Sequence, residues 1–254
     1  MSPLLNFSTA SSAFPLLGRQ DVHVWCCDLL RYAGHGDILA TLLSGDEQAR
    51  AARFVFERDR QRFILSHGLL RLILARYLEL EPGQIQFVTG VHGKPAVGGP
   101  AGLSPSLEFS LSHSGDYALM AVTKGRAVGV DVEVRKPDVE ALKLAQRFFA
   151  PGESDALATL QGDAQQRLFY RYWTAKEAYL KGRGVGLSLG LDRFEILFEG
   201  QSPSARVRLA ESGTFDPGWL VQALPLLDGL AGALAVEGEG WTLQTFDATA
   251  FFTR

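Results

Sequence analysis

Two acids, Asp131 and Glu133, stand one valine apart in the run GVDVEVR at residues 129–135. The run is rich in valine and reads as a β-strand. Side chains alternate faces along a strand, so Val128, Val130, Val132 and Val134 point one way and Gly129, Asp131 and Glu133 the other. The valines specify a core face. The opposite face carries two carboxylates about 7 Å apart at their Cα atoms, beside a glycine without bulk. Two ionised acids at that spacing repel and call for positive compensation. A hard divalent cation supplies it, because Mg²⁺ takes oxygen ligands and is commonly held by one or two carboxylates together with a substrate phosphate. The alternative is a solvated polar edge or two surface ion pairs. The valines and Gly129 make the strand central, which favours a site.

A second group lies in RYWTAKEAYLKGRGVGLSL, residues 171–189. Residues four apart share a helix face, which aligns Trp173, Glu177 and Lys181, with Lys176 on a neighbouring direction. Glu177 could give the cation a third oxygen, and Lys181, one turn on, could reach a phosphate bound to it. An ordinary solvent-side pair of Glu177 and Lys181 is the alternative, worth about 0.2–0.5 kcal/mol. Trp173 on the same line argues against a wet face. The exit through Gly182, Gly184 and Gly186 permits close backbone approach, but GRGVG lacks the lysine and hydroxyl ending of a phosphate-binding P-loop.

His113 ends the run LEFSLSHSG on the strand face of Leu107, Phe109 and Leu111. It suits either a structural place at the core's edge or a bond to a phosphate oxygen. Lys94 stands in a loop of small residues open to a ligand. Arg50, Arg53, Arg58, Arg60, Arg62, Arg71 and Arg76 make the region 45–80 locally basic, and an arginine fork matches phosphate geometry.

The chain that must position these groups has 254 residues, enough for one large domain or two smaller packed ones. Hydrophobic residues make up 46 % and charged residues 21 %, with a net charge of -3, a balance that excludes a strongly basic nucleic-acid surface. The only cysteines, Cys26 and Cys27, are adjacent, a poor geometry for a disulfide and a poor zinc site. They read as free thiols in a reducing compartment, the cytoplasm. The opening residues lack a basic start and a long apolar run, so no signal peptide is expected. No membrane span is expected either.

Alternation and turn residues predict strands at 21–27, 84–89, 107–115, 117–123 and 127–134. Residues 1–20 read as irregular and residues 91–105 as loop. Helices are predicted within 45–80, over 138–149, briefly within 151–163, and over 164–181. Several antiparallel strands follow between Leu187 and Phe252. Helices followed by strands in both halves suggest a duplication near residue 125.

Four blocks in this order resemble the 4'-phosphopantetheinyl transferases, the larger Sfp-type group: Gly93-Lys94-Pro95; SLSHS at 110–114; GVDVE at 129–133; and WTAKEAYLK at 173–181. The resemblance covers about residues 45–198. It implies an α+β (α/β) fold of two similar subdomains related by pseudo-twofold symmetry, with residues 1–125 on the coenzyme A side and 126–254 carrying the metal and the signature helix. It implies a monomer that moves the phosphopantetheine arm of coenzyme A to a serine of an apo acyl or peptidyl carrier protein, releasing 3',5'-ADP, with no nucleic-acid or membrane partner.

The family's Mg²⁺ ligands fall on Asp131, Glu133 and Glu177. Its coenzyme contacts fall on Arg50, Arg62, Lys94, Ser112, His113 and Lys181. A further basic position falls on Glu47, a departure that leaves Arg53 or another arginine as substitute. Catalysis is expected from Glu177, Lys181, His113 and Asp131, with Glu177 a ligand that also positions the base. The resemblance also puts Glu153 near the cleft. Two other readings use the same groups: a Mg²⁺-dependent phosphohydrolase or nucleotidyl transferase, and a non-catalytic coenzyme A-binding protein.

Overall fold

The computed structural model describes residues 14–90, 92–98 and 106–248; residues 1–13 of the irregular start read at 1–20, residues 91 and 99–105 of the loop read at 91–105, and the end of the C-terminal region lie outside them. The first half runs through β1 (Asp21–Asp28), a 3-10 segment (Leu29–His35), α1 (Gly36–Leu42), α2 (Gly45–Ala51) and α3 (Glu57–Leu78). A small hairpin follows, of β2 (Gln86–Thr89) and β3 (Pro95–Gly98), and then the hairpin of β4 (Leu107–Ser114) and β5 (Tyr117–Lys124). The second half contains β6 (Val128–Val134), α4 (Ala141–Phe148), α5 (Pro151–Ala158) and α6 (Gly162–Arg183). It ends in β7 (Phe194–Phe198), β8 (Ser204–Leu209), β9 (Phe215–Ala223), β10 (Leu230–Glu237) and β11 (Thr242–Asp247).

The strands form two main sheets, ordered β11-β1-β5-β4 and β6-β10-β9-β8-β7. β11 crosses back to lie parallel to β1, with His23 opposite Gln244. Each sheet is accompanied by a 22-residue helix, α3 or α6. The fold is therefore mixed α/β, with helices and a sheet in each of two units. The sequence reading missed α1 and β3. α1 is a seven-residue helix that opens on a glycine. β3 is too short to show alternation, and Pro95 at its start suits an edge position.

Three cores fill the fold. Leu69, Ile73 and Leu74 of α3 pack with Phe109, Met120 and Val122 of the first sheet. Leu180 and Tyr179 of α6 pack with Phe194 and Val221 of the second. Between the sheets, Val128, Val130 and Val132 of β6 meet Val22 and Val24 of β1, as the alternation of the acidic strand required. Each fully buried valine contributes about 1.5–3 kcal/mol.

β6 and β4 are facing edges of the two sheets, and a line of hydroxyls joins them. The N–H groups of Val130, Val132 and Val134, which β10 does not use, donate to Ser110 Oγ (3.1 Å), Ser112 Oγ (3.4 Å) and Ser114 Oγ (3.1 Å). On the face opposite the valines, α6 presses onto Gly129. A Cβ there would lie 2.0 Å from the Ala178 carbonyl oxygen and 2.3 Å from the Gly182 nitrogen. Neither backbone atom can swing aside. G129A is expected to destabilise the protein by about 3 kcal/mol or more in urea unfolding. G34A, where a Cβ meets nothing within 4 Å, is expected to change it by less than about 0.5 kcal/mol.

Candidate active site

The hydroxyl line does more than close the seam. Ser112 Oγ donates to Asp131 Oδ1 at 2.8 Å, and Ser114 Oγ donates to Glu133 Oε2 at 2.6 Å. Both acids of β6 are thus aimed by β4. Asp131 is buried, and burial raises its pKa despite Lys181 beside it. Burial also raises Glu133, and the Asp131 charge adds to it. Glu177 of α6 is raised by burial, then by Asp131 and Glu133. Carboxylates from a strand and a helix therefore feel one another's charge.

On α6 the predicted line is present. Trp173 packs its ring beside Phe149 and Phe169. Glu177 is half-buried and lines a cavity of about 300 Å³ with Lys94, Phe109, Ser110 and Lys181. Lys181 Nζ donates to Asp131 Oδ1 at 2.6 Å and to Ser112 Oγ at 2.9 Å. An ammonium has three N–H groups, so one remains for the cavity.

Lys176 turns the other way. It is 0 % exposed and donates to the carbonyls of Leu191 and Phe194, with Glu153 at 2.7 Å. Glu153, expected near the cleft, is instead buried as that lysine's counter-ion and accepts the N–H groups of Ala150 and Ile196. It fastens α5, α6 and β7 together and lines neither cleft cavity.

Lys94 lines the cavity, but its ammonium donates to the carbonyls of Val128 (3.2 Å) and Gly182 (2.9 Å). It ties the start of β6 to the end of α6, close to the Gly129 contact. A second cavity of about 570 Å³ shares Gly93, Pro95, Phe109 and Leu111 with the first, so the two form one cleft. Arg50, His67 and Arg71 line this end.

Arg62 pairs with Asp116 and Asp59, and Arg53 is exposed outside both cavities. His113 is exposed, yet its pKa lies below the ordinary value. Desolvation by the protein around the ring is the main cause, followed by the positive fields of His67, Lys181, Arg50 and Arg62.

Glu47 had no assigned task in the sequence reading beyond replacing a base. It caps α2 through Ser44, accepts from the buried Arg71 at 2.7 Å, and meets His67 Nδ1 at 3.0 Å. Burial opposes its charge, but His67, the Ser44 N–H and Arg71 together hold its pKa at about 2. The signal available in sequence was the S-x-x-E capping box at 44–47; its long-range partners needed the fold.

Three of the motif blocks line one cleft, the fourth, GVDVE, is joined to it by the Asp131–Lys181 bond, and the comparisons with known proteins bear on what such a chain is. A profile described as the 4'-phosphopantetheinyl transferase superfamily matches residues 127–231, and one for the N-terminal part of 4'-phosphopantetheinyl transferases matches residues 35–125. The 4'-phosphopantetheinyl transferase HetI of Nostoc sp. is 41 % identical over 221 residues, covering 87 % of this chain and 90 % of that protein. The chain belongs to the 4'-phosphopantetheinyl transferase superfamily. Other members similar to it include a phosphopantetheinyl transferase of Thraustochytrium sp., 31 % identical over 85 % of this chain and 78 % of that one. The transferase Sfp of Bacillus subtilis is 33 % identical over 61 % of this chain and 66 % of that one. Membership implies coenzyme A chemistry and transferase activity.

Two outcomes follow for this superfamily member. S112A removes the acceptor of Val132 N–H and a donor to Asp131, and is expected to lower unfolding stability by about 1–3 kcal/mol. Glu47 titrates lower in the folded than in the unfolded chain. Its contribution, about 3 kcal/mol, is present above the ordinary 4.5 and lost as pH falls through about 2. In acid unfolding followed by circular dichroism, E47Q is expected to be less stable than wild type at neutral pH and to lack that loss.

Proposed function

We propose that the protein carries the 4'-phosphopantetheine arm from coenzyme A to a serine of an apo acyl or peptidyl carrier protein, as an Sfp-type enzyme. The observation that carries this reading is the meeting of Ser112, Asp131 and Lys181 within 2.9 Å of one another, with Glu133 and Glu177 electrostatically coupled to Asp131 beside the cleft. The serine oxygen of the carrier bonds to the β-phosphorus of coenzyme A. The bond from that phosphorus to the bridging oxygen breaks, and 3',5'-ADP leaves with the electron pair.

The donor set suits Mg²⁺. Asp131 Oδ2 is buried without a hydrogen-bond partner, and all three acids have raised pKa values that a hard cation would relieve. Among the described residues no group of three His, Cys, Asp or Glu side chains is already gathered closely enough to hold a metal ion. Asp131, Glu133 and Glu177 would hold the ion, which when bound neutralises diphosphate oxygens and favours attack at phosphorus. Lys181 offers its remaining N–H to the diphosphate, where charge develops. Ser112 fixes both Lys181 and Asp131. Glu177, half-buried in the cleft, orients the group that takes the serine proton. His113 adds a donor near the phosphates, and Arg50 and Lys94 flank the coenzyme.

We divide the chain between residues 125 and 126, with β11 completing the sheet of the first unit. The protein is read as a cytoplasmic monomer, in keeping with the buried free thiols of Cys26 and Cys27. No helix among the described residues is long and apolar enough to cross a membrane.

Incubation with apo-acyl and apo-peptidyl carriers and coenzyme A is expected to add the mass of one arm to at least one carrier, only with Mg²⁺ present. D131A is expected to cut the rate at least about a hundredfold while keeping the circular dichroism spectrum. Phosphate or diphosphate release without any carrier would point instead to a phosphohydrolase.

The raised acids also set a direction in pH. Their charge costs stability once pH rises through their folded pKa values, so Mg²⁺ should stabilise more at neutral than at acid pH. A thermal shift corresponding to about 2.7 kcal/mol is expected at a hundred times the dissociation constant, and should vanish in E133Q.

A further inference from the structure

The nucleotide end of the cleft lacks one expected base, because Glu47 stands there. Its carboxylate does not face an anion alone. Arg71, 1 % exposed, holds Oε2, and His67 Nδ1 holds Oε1. The imidazole is further fixed by stacking on Phe63, with ring centroids 4.0 Å apart. Both ring planes and the Nδ1 bond are therefore set, and His67 lines the 570 Å³ cavity beside Arg50. A carboxylate on Nδ1 fixes that nitrogen as the proton donor. Nε2 makes no hydrogen bond to a described residue and is left to the cavity. When the ring is protonated, Nε2–H is a donor aimed at a ligand, next to a guanidinium.

We infer that His67, positioned by Glu47, is a phosphate-binding residue that lets this cleft prefer a coenzyme bearing a 3'-phosphate on its ribose. The inference rests on the coenzyme A reading above and deepens it. Arg53 is not the substitute base; the replacement comes from α3. The diphosphate belongs at the Asp131 end, so the nucleoside and its ribose phosphate extend over Phe109 and Leu111 toward Arg50 and His67. The charged groups that line this end of the cleft with the imidazole are Asp46, Glu47 and Arg50 on α2 and Arg71 on α3.

The test compares kcat/KM for coenzyme A and for 3'-dephospho-coenzyme A in wild type, H67Q and H67R. H67Q is expected to lower the preference about tenfold, the scale of one charge-assisted hydrogen bond. H67R should keep the preference. Thermal-shift titration with adenosine 3',5'-bisphosphate and adenosine 5'-monophosphate reads the same discrimination without any transfer. Equal preference in wild type and H67Q would overturn the role of His67 while leaving carrier modification intact. Failure to modify any carrier, with His67-dependent discrimination retained in the binding titration, would overturn the transfer reading and support the phosphate contact.

Discussion

The three bonds from Val130, Val132 and Val134 to Ser110, Ser112 and Ser114 hold the molecule together where it works. An exposed strand edge leaves every second N–H unpaired, and burying such groups without partners costs free energy. Here serine side chains replace a neighbouring backbone. A backbone ladder would have merged the two sheets into one and left no hydroxyl to spare. A serine accepts from the strand and still donates, so Ser112 and Ser114 donate their own hydrogen bonds to Asp131 and Glu133. The joint between the halves and the aim of the acids are one interaction.

Around that seam the molecule has spent its special residues. Gly129 lets α6 reach β6 at backbone contact, and Lys94 bonds a carbonyl on each side of the crossing. Lys176 and Glu153, both buried, lock the same helix to α5 and β7 from behind. A buried ion pair is a poor source of stability in itself, but losing either partner leaves an uncompensated charge. Its position makes α6 a rigid carrier for Glu177 and Lys181.

Much of this was legible before the fold was known. Alternation in GVDVEV placed the valines and the acids on opposite faces, and the core between the sheets takes in Val128, Val130 and Val132 but neither acid. The four-residue spacing put Glu177 and Lys181 on one line of α6, and both line the same cavity. What could not be read were bonds between segments distant in sequence. Serines at every second place in SLSHS announce a polar strand face, but not that its partner is the edge of another sheet. Lys181 was read as a phosphate contact, and the fold adds its bonds to Asp131 and Ser112. Glu47 shows its cap locally and its pairing with Arg71 and His67 only in three dimensions. The local pattern of β11 shows a strand, but not that it leaves its neighbours for β1.

That return has a consequence for synthesis of the chain. Among the described strands, β1 is the first to leave the ribosome and β11 the last. Until the final strand emerges, β1 forms an unpaired margin of the first sheet, and the nascent protein carries an open hydrogen-bonding template. The two halves are thus not beads that mature in turn. Completion of the earlier one waits on translation of the later.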